Sequence, residues 1–227
     1  MDSLGGSHGH YKERNGYKVQ IYLFRHGETD WNKARRLQGQ SDIPLNAYGR
    51  ELAHKTAEAL QSVPFDKAFS SPLSRAKETA QIILGKRNIP LTTDERLLEI
   101  NFGDCEGQCF DTAKQNPNHP LHHFFCAPQS YLPPEGGETF HGAINRGNAF
   151  LQEQILPLEG CCETILIVAH GAFNRCILNA ISNTPLEDFW KTALPNCAAS
   201  ILSLHHGKFT IETESKVYYG TPVNGRP

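Results

Sequence analysis

The sequence predicts a three-layer α/β/α fold around a mainly parallel central sheet, and three observations lead there. Two short apolar runs, Ile21-Tyr22-Leu23-Phe24 and Ile165-Leu166-Ile167-Val168, each lead into a His-Gly pair, at His26-Gly27 and His170-Gly171. Runs of this length, rich in β-branched and aromatic residues and closed by glycine, read as strands buried on both faces. Segments of helical spacing alternate with the strand patterns, as expected of parallel strands covered by helices on both sides. Finally, 227 residues with 39% hydrophobic and 20% charged content are enough to bury a full core.

Taken in order, residues 19–24 form the first strand. Residues 46–60 follow as a helix, with Leu52, Ala53, Ala57 and Leu60 on one face. A short strand spans 66–70. Pro72 opens a helix through residue 84, since proline suits a first turn, and Gly85 stops it. A helix at 142–156 ends at Pro157. The second His-Gly strand covers 164–169 and a helix covers 173–182. Residues 198–205 and 209–217 alternate as strands, joined by a hairpin at His206-Gly207-Lys208.

The stretch 108–140 breaks this rhythm. It holds Pro117, Pro120, Pro128, Pro133 and Pro134 and shows no clear period. A long irregular segment inside a compact domain is usually functional, so a lid-like insertion is expected here. Residues 1–16, polar and rich in Gly, Ser and His, read as a flexible lead-in to one domain over 17–227.

A net charge of -2 carries no basic signature, so nucleic acid is not an expected partner. No apolar stretch approaches the roughly 20 residues that span a bilayer, so no membrane is expected either. The first residues lack the apolar core of a signal peptide, and a cytoplasmic location is the default expectation. Seven cysteines, an odd number irregularly spaced, argue for reduced thiols over a disulfide framework. Cys105 and Cys109 with His119, His122 and His123 match no standard zinc spacing. Neither metal nor cofactor is expected. Oligomeric state is not legible.

Ligands of open α/β sheets bind outside the carboxyl ends of the strands, where strand order reverses. Arg25-His26-Gly27-Glu28-Thr29 stands at such an end. Arginine offers a fork of donors suited to phosphate, glycine admits close backbone approach, and a neutral imidazole can attack phosphorus. In Ser70-Ser71-Pro72-Leu73-Ser74-Arg75 a strand turns into a helix, which puts Arg75 in the first helical turn. A cation there opposes the helix dipole unless it faces an anion. Leu97-Leu98-Glu99-Ile100 sets a carboxyl among apolar neighbours, whose desolvation would raise its pKa and suit it to proton transfer. Asp104 and Glu106 are nearby competitors for that role.

Together RHGETDWN, LQG at Leu37-Gln38-Gly39, SSPLSRAKETA, LLEINFGDCEG and VAHG, in that order, resemble the histidine phosphatase superfamily, the phosphoglycerate mutase-like proteins. The resemblance implies a phosphoglycerate mutase-like fold and a small phosphorylated substrate. It implies that His26 is the nucleophile forming a phosphohistidine, that Arg25 and Arg75 clamp the phosphate, and that His170 contacts the same group. Asn32, Gln38, Gly39 and Gly171 fall at positions lining the phosphate and substrate pocket. Glu99 resembles the proton donor, later the base that activates water. Pro134-Glu135-Gly136-Gly137-Glu138-Thr139 is similar to the pocket-rim phrase of the phosphatase members.

The family's mutases carry a paired-arginine phrase after the catalytic glutamate. Here Lys114 and Arg146 are the only basic residues of that kind between Ile100 and Gly160. The resemblance is therefore to the phosphatase branch, with mutase-type transfer as the alternative. A non-catalytic phosphate-binding module is the other alternative, but such a protein is expected to have lost His26, Glu99 or an arginine. One departure is Cys105, where phosphatase members usually place an aromatic.

Overall fold

A computed structural model describes residues 18–220; the expected lead-in lies outside the described residues. The strands are β1 (Val19–Arg25), β2 (Lys67–Ser70), β3 (Leu91–Thr93), β4 (Thr164–Ala169), β5 (Ala199–His205) and β6 (Lys208–Lys216). They form one sheet in the order β3-β2-β4-β1-β5-β6. The first four in that order are mutually parallel, and β5 runs antiparallel to both β1 and β6. The helices are α1 (Asp30–Lys33), α2 (Ala47–Ala59), α3 (Ser74–Leu84), α4 (Phe110–Gln115), α5 (His122–Cys126), α6 (Phe140–Phe150) and α7 (Gly171–Ser182).

The period-2 geometry of the two His-Gly strands builds the layers. Ile21, Leu23, Ile165 and Ile167 pack with Phe150, Phe173 and Ile177 of α6 and α7 on one face. Tyr22, Phe24, Leu166 and Val168 pack with Leu60, Ala76, Ala80 and Ile83, next to α2 and on α3, on the other. With both faces covered, neither run needs a polar residue. The three-layer α/β/α arrangement read from the sequence is the one observed.

Departures from the expected boundaries have local causes. Strand β3, short and mostly polar, was not anticipated and is held by parallel pairing with β2. Helix α3 starts at Ser74, after Pro72, because Asp42 Oδ1 accepts from both Ser74 N and Ser74 Oγ, at 2.8 and 2.7 Å. The α-helical turns of α6 end at Phe150, where a π-helical turn, Leu151–Ile155, takes over before a 3-10 turn containing Pro157. Proline lacks the N–H and its ring crowds the carbonyl four residues back, so the preceding turn widens. The β5–β6 connection is the two-residue turn His206-Gly207, both at positive φ (51° and 71°), as a type I′ hairpin requires.

The stretch 108–140 is more ordered than its composition suggested. It contains α4 and α5, and Phe124 is fully buried against Phe102, Tyr131, Phe140 and Trp190. The indole N–H of Trp190 donates to Phe124 O at 2.7 Å, tying this stretch to the segment after α7. Cys105 belongs to the same core, where burial and Asp104 raise its thiol pKa.

Helix α2 sits against the loop after β1. A Cβ at Gly49 would fall 2.1 Å from Glu28 O, so only glycine lets the helix dock there. Gly49→Ala is expected to destabilise the fold by about 1–3 kcal/mol through overpacking. Urea denaturation checks this, and an unchanged midpoint would contradict it.

Candidate active site

The parallel register of β1 and β4 pairs Arg25 with Ala169, so the next residue of each strand is a histidine. His26 N donates to Ala169 O at 3.0 Å, and the two imidazoles meet edge to face with ring centroids 5.2 Å apart. Both histidines are buried. His26 Nδ1 lies 2.7 Å from Gly27 O. A carbonyl only accepts, so Nδ1 carries the proton and the Nε2 lone pair is free.

Arg75 is fully buried, yet its Nε has no hydrogen-bond partner among the described residues. Its terminal nitrogens donate to Ser41 O and Gly39 O, both at 2.7 Å. Burial lowers its pKa to about 10, which leaves it a cation at neutral pH. Arg25 donates to Leu194 O at 2.6 Å and likewise keeps a buried Nε without a partner. Gly171 explains itself here: a Cβ would sit 3.2 Å from that Nε. Neither ring nitrogen of His170 has a partner among the described residues.

Burial, then Arg75 and Arg25, push the His26 imidazole well below its ordinary pKa. Burial, Arg75 and His26 do the same to His170. The folded state thus takes up these protons less readily than the unfolded chain. Stability is fully present above the unfolded value of about 6.5 and declines as pH falls from there toward the folded values. His170→Asn is expected to lose less stability than the wild type between pH 7.5 and pH 5.5 in urea titrations. Equal losses would contradict this assignment.

Glu99 is buried, but its surroundings differ from the apolar setting its neighbours suggested. Oε1 accepts from Ile100 N at 2.9 Å and Phe173 N at 2.8 Å, and Oε2 from Ala172 N at 3.1 Å. The carboxylate rests on the N-terminal turn of α7, which begins at Gly171, two residues earlier than the apolar pattern indicated. Three N–H donors and the N-terminal turn of α7 thus surround the carboxyl group where apolar neighbours were expected. Glu106 instead braces the loop after Gln38, and Asp104 is exposed.

The remaining predicted residues lie around this centre. Asn32 Oδ1 accepts from Thr29 N at 3.1 Å and from Asn196 Nδ2 at 3.4 Å, and Asn196 Nδ2 also donates to His26 O at 3.0 Å. Gln38 is buried with Oε1 taken by the Thr29 hydroxyl at 3.0 Å. Gly39 contributes its carbonyl to Arg75. In the phrase Pro134–Thr139, Glu138 pairs with Arg146 (2.7 Å) and Thr139 caps α6. Arg146 also donates to Arg96 O and Leu98 O, both at 2.7 Å, behind Glu99.

Sequence reasoning missed Asn196, Thr79, whose Oγ1 accepts from Gly27 N at 2.9 Å, and the bracing role of Glu106. Arg175 stacks over Trp190 with its guanidinium carbon 5.1 Å from the ring centroid. His119 Nε2 lies 2.8 Å from Gln108 Oε1, and His122 Nδ1 2.9 Å from Lys114 O. Among the described residues no three His, Cys, Asp or Glu side chains converge as a metal site. No described helix is long and apolar enough to cross a membrane.

The arrangement can hold a tetrahedral anion against an imidazole lone pair. Known proteins resemble the chain in sequence and fold. The chain is 34% identical over 182 residues to "Probable phosphoglycerate mutase GpmB" of Salmonella choleraesuis (strain SC-B67), covering 80% of this chain and 83% of that protein. Its structure resembles that of Bacillus stearothermophilus YhfR with a TM-score of 0.81 and 37% identity, over 88% of this chain and 98% of the other. It also resembles Entamoeba histolytica phosphoserine phosphatase, solved with 3-phosphoglyceric acid, with a TM-score of 0.78 and 26% identity, over 88% and 99% of the two chains. The family model of the histidine phosphatase superfamily (branch 1) matches residues 21–216, and the chain belongs to that family.

Proposed function

We propose that the protein hydrolyses a small phosphate monoester through a phosphohistidine at His26, without a metal ion. The observation that carries this reading is the set of buried, unpartnered nitrogens beside His26: Nε of Arg25, Nε of Arg75 and both ring nitrogens of His170. Buried polar groups without partners are rare and costly. Phosphoryl oxygens would accept from both guanidinium Nε–H groups and from the protonated ring nitrogen of His170, and phosphoryl transfer needs chiefly positioning and charge neutralisation. The two guanidinium groups supply the charge.

In the first step the Nε2 lone pair of His26 attacks phosphorus, and the bond from phosphorus to the ester oxygen breaks. Glu99 gives its proton to that oxygen and the alcohol leaves. In the second step Glu99 takes a proton from water, whose oxygen attacks phosphorus. The P–N bond breaks, its electron pair returns to Nε2, and inorganic phosphate departs. Covalent catalysis divides one hard displacement into two easier ones.

Hydrolysis is favoured over mutase transfer by what the basic residues after Glu99 do. Arg146 is committed to Glu138 and to carbonyls behind the site, and Lys114 is exposed on α4. Arg146 is therefore not left to hold a second anionic group of a bisphosphate. The name borne by the Salmonella relative supports the mutase alternative, which predicts interconversion of phosphoglycerate isomers faster than phosphate release. In this reading residues 108–140 are the cover of the pocket, fixed by the Phe124 cluster.

The test is p-nitrophenyl phosphate hydrolysis with excess chelator. Turnover is expected to continue undiminished; loss of activity on chelation, restored by a divalent metal, would refute the metal-free mechanism. Absence of any turnover would leave the binding-module alternative.

A further inference from the structure

Arg75 takes its orientation from a segment without regular structure. The acceptors of its terminal nitrogens, Gly39 O and Ser41 O, both lie in the loop between Gln38 and Asp42. Glu106 holds that loop from the other side. Its Oε1 accepts from Gln40 N at 2.8 Å, and its Oε2 accepts from Ser41 N at 2.8 Å and Ser41 Oγ at 2.5 Å. Gly39 stands at φ +52°, and a Cβ there would meet Glu106 Oε1 at 1.9 Å. Only glycine admits the carboxylate this closely.

The peptide unit joining Gly39 and Gln40 is the key part. In a planar trans peptide the C=O and N–H point in opposite directions. Here the N–H meets Glu106 and the C=O meets Arg75, so an anion and a cation terminate the same peptide dipole. Each bond polarises the other, and rotating the plane breaks both. The same loop reaches the other side of the site, where Gln40 Nε2 donates to Glu99 O at 3.1 Å.

Resting on the phosphoryl-transfer reading above, we propose that Glu106 is a positioning residue. Acting through the main chain of Gly39 to Ser41, it sets the direction in which Arg75 presents its Nε–H to the phosphoryl oxygens. It touches neither substrate nor reacting atoms.

The experiment is calorimetric titration of the full chain with inorganic phosphate, for wild type, Glu106→Gln, Arg75→Met and the double variant. Glu106→Gln is expected to bind phosphate about tenfold more weakly. In the Arg75→Met background the same change should cost less than about twofold, because the two residues act as one unit. A merely structural role would lower the unfolding midpoint and leave the phosphate affinity of the folded protein as in wild type. That result, or losses that simply multiply, overturns the proposal. Should Glu106→Gln not fold, Ser41→Ala removes one contact; about a two- to threefold loss is expected, absent when Arg75 is Met. Wild type that binds phosphate but hydrolyses no ester refutes the hydrolase reading alone, and the binding cycle still decides Glu106. Wild type that does not bind phosphate overturns both.

Discussion

Replacing His26 by alanine is expected to reduce p-nitrophenyl phosphate turnover by on the order of 10³-fold or more, because the lost lone pair is the nucleophile. Stability should change little by comparison. The ring is buried, but its hydrogen bond to Gly27 O is a local one, and removing a group whose burial disfavours its charged form relieves acid sensitivity. The direct readout is covalent. Wild type quenched during turnover of a labelled ester should carry acid-labile phosphate on His26, and the alanine variant none. Label on another residue, or turnover surviving in the variant, would exclude this nucleophile.

Glu99→Gln is expected to separate the two halves of the reaction. An alkyl phosphate has a poor leaving group and needs the proton, so its hydrolysis should slow by roughly 10²–10⁴-fold. p-Nitrophenolate leaves unaided, so phosphorylation of His26 should persist while attack by water stalls. A burst of nitrophenol near one equivalent, followed by slow turnover, is the expected trace. Both substrates slowing equally, without a burst, would remove Glu99 from the proton path. The amide also faces Ala172, Ile100 and Phe173 N–H groups. Its oxygen can keep two of those bonds, and its NH₂ opposes the third donor, which costs about 1–3 kcal/mol of stability. Denaturation of the variant therefore accompanies the kinetics.

The strand-end histidines were legible because their context is local. An apolar run, a histidine and a glycine say where a strand stops, and the fold places parallel strand ends together. Arg75 was legible for the same reason, standing at the turn from β2 into α3. The packed character of 108–140 was not, since Phe124 gains its cover from Phe102, Phe140 and Trp190, residues far apart along the chain. Helices α4 and α5 are too short to show a period.

What the residues alone establish here is the alternation of strand and helix, the two His-Gly strand ends and the types of group available to an anion. Those follow from side-chain shape and spacing within a dozen residues. Folding in three dimensions assigned the carboxylates: Glu99 to the helix end of α7, Glu106 to the loop behind Arg75, and Asp104 to solvent. The three lie within eight positions and are chemically alike, so no local pattern ranks them. Which one meets an N–H at hydrogen-bond distance depends on where α7 and the 39–41 loop come to rest, and those partners are more than 60 residues away in either direction.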